Sequence, residues 1–192
     1  MKCFEEHINE TFFENIFKLE QSHNLTYDLN TNTYDIKRYY DIELDENTKK
    51  LNLEESINIY SDKLKNAIKL RLRSDVKVGA CLSGGLDSAT IVYHASQLLK
   101  KENKKLTTHT FEYKNNEKLS EKDQAGSIAK QCNTDHNVLY FDSEDVWKDL
   151  KTLVKTLEEP VHSPAAYIQW IAWRKIADMG FKVILHGASN DE

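Results

Sequence analysis

The chain has 192 residues, 40% of them hydrophobic and 30% charged, with a formal net charge of −5. This balance predicts a soluble globular protein of one domain, or one domain with an appendage, and argues against a nucleic-acid partner, whose phosphates an acidic surface repels. No apolar run approaches the roughly 18 residues of a membrane span, and the acidic start, Met1-Lys2-Cys3-Phe4-Glu5-Glu6, lacks the apolar stretch of a secretory signal. Cys3, Cys81 and Cys132 are odd in number and far apart, which predicts neither a disulfide framework nor a zinc site and points to a reducing cytoplasm.

In chain order, Leu25 to Leu29 and Thr33 to Tyr39 flank Asn30-Thr31-Asn32 and are predicted to pair as a hairpin. That segment has too few apolar residues for a core of its own, so residues 1–53 read as an appendage or linker and 54–192 as the main domain. Ile57, Tyr60, Leu64, Ile68 and Leu72 follow helical spacing from an acidic first turn at Glu54 and Glu55. Lys77 to Leu82 reads as a strand, and Asp87 to Lys101 as a helix apolar almost all round, suited to packing on a sheet. Leu106 to Phe111 is the next strand. Ser120 offers an N-cap with Asp123 three residues on, before a helical face of Ala125, Ile128, Ala129 and Cys132.

A strand from about His136 to Phe141 and a helix from about Ser143 to Leu157 follow. Ser163 and Pro164 make an N-cap and first-turn pair, Ile168, Ile171, Ala172 and Ile176 form a stripe, and Gly180 sits where a helix would stop. Lys182 to Leu185 is the fourth strand of the main domain. Strands alternating with helices predict an α/β fold, with right-handed βαβ units making a three-layer parallel sheet and helices on both faces.

Three of the six glycines lie at positions 79, 84 and 85. Strand, then Ser83-Gly84-Gly85-Leu86-Asp87-Ser88, then helix has clear chemical content. Ligands bind beyond the carboxyl ends of parallel strands, where a helix start offers unpaired N–H groups and the positive end of its dipole. The glycines let the backbone approach an anion, and the Ser83 and Ser88 hydroxyls can donate further hydrogen bonds. Asp87 would repel a naked phosphate, but makes sense holding a magnesium ion that bridges to phosphates. The plainer reading is a tight turn with Asp87 or Ser88 capping the helix. No Lys follows the glycines at Walker A spacing, and the dinucleotide fingerprint is absent.

The loop resembles the pyrophosphate loop of the ATP-pyrophosphatase (PP-loop) superfamily, with the adenine nucleotide alpha hydrolase-like fold. Its surroundings narrow the resemblance to the synthetase domain of the asparagine synthetase family. Arg71-Leu72-Arg73-Ser74-Asp75-Val76, running into Val78-Gly79 and Leu82 to Ser88, is similar to that family's central signature. Lys37-Arg38-Tyr39-Tyr40-Asp41, Phe13 to His23, Thr108-His109-Thr110-Phe111, Ser120 to Asp123, Asp135-His136, Glu158-Glu159-Pro160 and Gly187 to Glu192 also have counterparts.

The resemblance implies that ATP activates the aspartate side-chain carboxylate as an acyl-adenylate with release of pyrophosphate, and that ammonia then attacks to give asparagine. It implies Ser83, Asp87 and Ser88 as the catalytic loop residues, with the amides of Gly84 and Gly85 beside them. Asp87 and Asp191 would be the metal-binding carboxylates, and Leu82, Tyr113, His186 and Gly187 would hold the adenosine, largely through backbone groups.

Departures from the pattern shape the expectation. No glutaminase domain precedes the segment, so ammonia is expected from solution, a separate glutaminase or another portion of the protein. Ala188 stands where the family carries Glu or Gln, and Ser189 and Asn190 stand where it carries small residues. The family's Gly-Gly-Tyr stretch and later catalytic lysine lie beyond Glu192, which predicts a partial synthetase domain. Two alternatives stay open: a relative adenylating another carboxylate, of the β-lactam synthetase or macrocyclase type, and a remnant that binds nucleotide without catalysis. Among other candidates, Glu158 and Glu159 read as a solvated helix end, with Glu159 facing substrate as the family-based option. His94 and His136 read as structural, His162 lies near the pocket, and Trp147, Trp170 and Trp173 read as packing residues.

Overall fold

The computed structural model describes residues 9–43, 45–114, 120–142, 145–161 and 163–187. The chain divides into two compact units, 1–56 and 57–192. In the first, β1 (His23–Asp28) pairs antiparallel with β2 (Thr33–Arg38), from His23 opposite Arg38 to Asp28 opposite Thr33. The Asp28 carboxylate accepts hydrogen bonds from the N–H groups of Asn30 (2.8 Å) and Thr31 (3.3 Å), which pull its pKa down, and Asn32 takes the left-handed φ of 58° that closes the turn. All but one of the hairpin's residues are exposed, in keeping with an apolar content too small for a core.

α1 (Leu53–Arg71) begins with a reciprocal cap. Asn52 Oδ1 accepts from the Glu55 N–H at 3.0 Å, and Glu55 Oε2 accepts from the Asn52 N–H at 2.9 Å. The second unit then alternates β3 (Val78–Cys81), α2 (Leu86–Lys100), β4 (Thr107–Tyr113), α3 (Lys122–Gln131), β5 (Asp135–Phe141), α4 (Asp145–Leu157), α5 (Pro164–Asp178) and β6 (Val183–Leu185). All three strand pairings are parallel, and the strand order is β5-β4-β3-β6. The chain steps from β3 outward to β5, then returns across to the other side of β3. With right-handed crossovers, that reversal puts α2 and α3 on one face and α4 and α5 on the other. The fold is α/β, with a parallel sheet between two helical layers.

The first face holds the main core. Ala80 of β3 and Leu82 just after it meet Ile91, Val92 and Ala95 of α2, Ala125 and Ala129 of α3, and Ile68 of α1, while Leu106 and Leu185 complete the cluster. Burying a side chain such as Leu82, Val92 or Leu106 contributes about 1.5–3 kcal/mol. On the other face, α4 and α5 bury Leu153, Tyr167, Ala172 and Ile176. There the fully buried His109 of β4 meets Phe181 edge-on, with ring centroids 5.0 Å apart. Neither of its ring nitrogens has a partner among the described residues. Burial, reinforced by His136, pushes its pKa down. His136 Nδ1 lies 3.0 Å from Thr108 Oγ1, and burial lowers its pKa too.

Ser120 Oγ accepts the Lys122 N–H at 3.4 Å at the start of α3, in keeping with its expected capping role, while the Glu121 N–H donates to the buried Glu112 carboxylate at 3.0 Å. A tertiary partner from β4 adds to the local one. One sequence expectation needs correction. Trp147 is not a packing residue, being 79% exposed on α4. Trp170 packs beside Tyr167 and under the Arg174 guanidinium, which lies 4.5 Å from its ring centroid. Ser143, the expected start of α4, lies outside the described residues. Among those residues, no helix is long and apolar enough to cross a membrane.

Candidate functional site

The strand order reverses at β3 and β6, and the crevice at such a switch point, beyond the carboxyl ends of the strands, is where an open parallel sheet binds ligands. A cleft of about 550 Å³ lies there, a size suited to a small molecule. Its floor comes from Cys81 and Phe111, and one wall from Ser83, Gly85, Asp87 and Ser88 at the β3–α2 junction. His186 and Gly187 follow β6, and α5 closes the opposite side with Ser163, Ile168, Gln169 and Trp173 among others. The Trp173 and His186 rings lie with centroids 5.7 Å apart. Asp87 is the one acidic side chain among the described lining residues. Burial pushes the Cys81 thiol up to about 12, so it stays protonated and is a poor nucleophile at neutral pH.

The junction is held shut by two hydroxyls. Ser88, 7% exposed, receives the Ser83 N–H on its Oγ at 3.1 Å and lies 2.8 Å from Ser83 Oγ, with the Ser83 and Gly85 carbonyls at 3.3 and 3.2 Å. Ser83 Oγ in turn accepts the Gly85 N–H at 3.2 Å. When Ser88 donates to Ser83 Oγ, the Ser83 proton is released for a ligand, whereas Ser88 is spent on the loop.

Gly85 is the N-cap of α2 and offers no side-chain cap, so the first-turn N–H groups of Leu86, Asp87 and Ser88 have no intrahelical acceptor. α5 differs, because its N-cap Ser163 accepts from the Ala165 N–H at 3.1 Å. Gly187 comes so close to the α2 start that a Cβ there would lie 2.9 Å from Ser88 N and 3.0 Å from Asp87 Cβ. The close approach of β6 to α2 thus requires a glycine.

Of the residues expected from the sequence, Ser83, Gly85, Asp87, Ser88, His186 and Gly187 line one cleft. Leu82, Gly84 and Tyr113 do not. The Leu82 side chain is buried in the core, its N–H donates to the His109 carbonyl at 2.9 Å, and its carbonyl accepts from Thr110 Oγ1 at 2.5 Å. Tyr113 ends β4 with its ring edge-on to Phe141, centroids 4.5 Å apart. Gly84 turns away from the cleft toward Gln124. Asp191 and His162 lie outside the described residues, and Glu158 and Glu159 are both exposed. No group of three potential metal ligands occurs among the described residues. The sequence reading missed the α5 wall: Gln169 and Trp173 are one turn apart, so their spacing was a usable signal.

The sequence profile of the asparagine synthase family matches residues 60–192. The chain is 30% identical over 185 residues to a Methanocaldococcus jannaschii protein carrying the provisional name asparagine synthetase (glutamine-hydrolyzing) 2, covering 95% of this chain and 34% of that one. Asparagine synthetase (glutamine-hydrolyzing) 2 of Bacillus subtilis is 29% identical over 194 residues, covering 95% of this chain and 25% of that one. The chain therefore spans a quarter to a third of the length of these curated relatives. Among solved structures, an NAD+ synthetase from Burkholderia pseudomallei aligns over 66% of this chain and 60% of its own, with 14% identity and a TM-score of 0.41. With a family profile matched from residue 60 to residue 192, the chain belongs to the asparagine synthase family.

Proposed function

We propose that this chain binds ATP in the cleft and takes part in ATP-dependent amide synthesis, with the aspartate side-chain carboxylate as the acid activated and ammonia as the nucleophile. The observation that carries the reading is the uncapped start of α2, whose amides follow the Ser83–Ser88 latch while Asp87 faces the cleft beside them. Membership of the family supports it. The relatives' names support a supply of ammonia by glutamine hydrolysis, on a separate chain or another part of a longer one. The free thiols of Cys81 and Cys132 suit a cytoplasmic setting.

In the reaction, a carboxylate oxygen attacks the α-phosphorus of ATP. The bond from that phosphorus to the bridging oxygen breaks, and pyrophosphate leaves with the electron pair. Ammonia then attacks the acyl carbon, a proton is lost, and AMP leaves to give the amide. Charge grows on the departing pyrophosphate, so preorganised donors there lower the barrier. The first-turn amides of α2 and the released Ser83 proton are those donors, and Ser88 keeps the loop closed around them. His186 and Gly187 form the adenosine side of the cleft. Magnesium binds through one or two carboxylates plus substrate phosphates, a mode that Asp87, the one carboxylate among the described lining residues, fits. Asp87 would hold the ion, whose charge offsets that of pyrophosphate.

Calorimetric titration of the chain with Mg·ATP tests the reading. Saturable binding that Asp87→Ala weakens about tenfold or more, ~1.4 kcal/mol, is the expected result. A folded chain that takes up no Mg·ATP overturns it.

A further inference from the structure

We infer that Gln124 is a positioning residue for the phosphate loop, acting on Gly84, with Glu112 as its anchor; the inference rests on the proposed nucleotide site. A Cβ at Gly84 would lie 2.9 Å from Gln124 Cβ and 3.1 Å from its Cδ, and nearer still to Oε1. The Gln124 side chain thus lies along the Gly84 α-carbon. Its Cβ is fixed to α3, so the loop cannot move toward α3 unless the helix itself moves.

α3 is in turn held in place. Ala125 is fully buried and Ala129 is 3% exposed in the main core. The helix start is tied to the carboxyl end of β4 by the Glu112 carboxylate, 5% exposed, which accepts the Glu121 N–H at 3.0 Å. A buried carboxylate at a helix N-terminus also meets the positive end of the dipole. On the far side, Gly187 presses on the backbone of Asp87 and Ser88. The loop and the α2 start are therefore clamped between α3 and the segment after β6. A clamp of this kind spends the ordering cost before ligand arrives, which raises affinity for the anion that the amides receive.

The group that senses the clamp is the pyrophosphate moiety, whereas an adenosine monophosphate makes little use of it. The test is calorimetric titration of wild type, Gln124→Ala and Gln124→Met with Mg·pyrophosphate and, separately, with AMP. Gln124→Ala should weaken Mg·pyrophosphate about tenfold, ~1.4 kcal/mol, while AMP affinity and the thermal midpoint stay close to wild type. Gln124→Met, which keeps the length and bulk, should restore most of the loss. Unchanged Mg·pyrophosphate binding in Gln124→Ala overturns the inference and leaves the nucleotide site standing. Equal losses for both ligands, or a fall in thermal midpoint that accounts for them, assign Gln124 a purely structural role and overturn it too. A wild-type chain that binds no Mg·pyrophosphate removes the site itself, and this inference with it.

Discussion

Gly187 and Ser88 set the terms of the cleft at the scale of single residues. A methyl group at Gly187 has backbone on its far side, with Ser88 N at 2.9 Å and the Asp87 carbonyl carbon at 3.0 Å, so no side chain can swing aside to accept it. Gly187→Ala should therefore cost about 1–3 kcal/mol of stability, the usual penalty for overpacking, and should also weaken Mg·ATP by shifting the α2 start. Urea unfolding and calorimetric titration check the two effects separately. The glycines of the loop were legible in the sequence as places of close approach. What each one approaches was not, because Gln124 lies 40 positions after Gly84 and Gly187 almost 100 positions after Ser88. The bond from the Glu121 N–H to Glu112, nine positions back, joins the end of β4 to the start of α3 and adds to the local Ser120 bond.

At the scale of elements, helix ends repay attention. α3 stops where Asn133 adopts φ 51°, with the Thr134 N–H reaching back to the Ala129 carbonyl at 3.0 Å and the Asn133 N–H to that of Lys130 at 3.2 Å. Gly180, φ 84°, ends α5 in the same way, with N–H bonds from Phe181 to Ile176 and from Gly180 to Ala177. Gly180 was readable from the sequence, whereas Asn133 was overlooked among the chain's many asparagines. Asn133→Ala should cost about 1 kcal/mol, the penalty of a left-handed residue with an ordinary side chain, and Asn133→Gly should cost nothing. Urea midpoints of the two variants decide it. Strand identities were legible because apolar and β-branched residues cluster in short runs, and the Ser163-Pro164 start of α5 was legible because capping chemistry is local.

Across the whole molecule, the sheet buries His109 fully and His136 in part, and both resist protonation. His109 has both ring nitrogens unpartnered among the described residues, as has Nε2 of His136, and burial lowers both pKa values. A folded-state pKa below the unfolded value near 6.5 means that the unfolded chain binds protons first as pH falls. Stability is therefore full above about pH 6.5 and declines as pH drops from there toward the lower folded-state values. The slope reaches at most about 1.4 kcal/mol per pH unit for each histidine. Urea unfolding at pH 7.5, 6.5 and 5.5 should show that decline, and His109→Leu should flatten it. A pH-independent midpoint over this range contradicts the assignment.

By itself the sequence determined the alternation of strands and helices, and hence a parallel α/β sheet. It also determined the place of the Ser83–Ser88 loop, because its strand, two glycines and helix start are adjacent in the chain. Only the tertiary structure decided the strand order that reverses at β3 and β6, the α5 wall with Trp173 and Gln169, and the retreat of Leu82 and Tyr113 from the cleft. It alone decided the clamp on Gly84 and Gly187. The physical reason is one of range. Capping, turn and periodicity signals act over a few residues, where the covalent chain brings partners together. A cleft wall and a close approach instead depend on which distant elements the burial of apolar surface brings into contact.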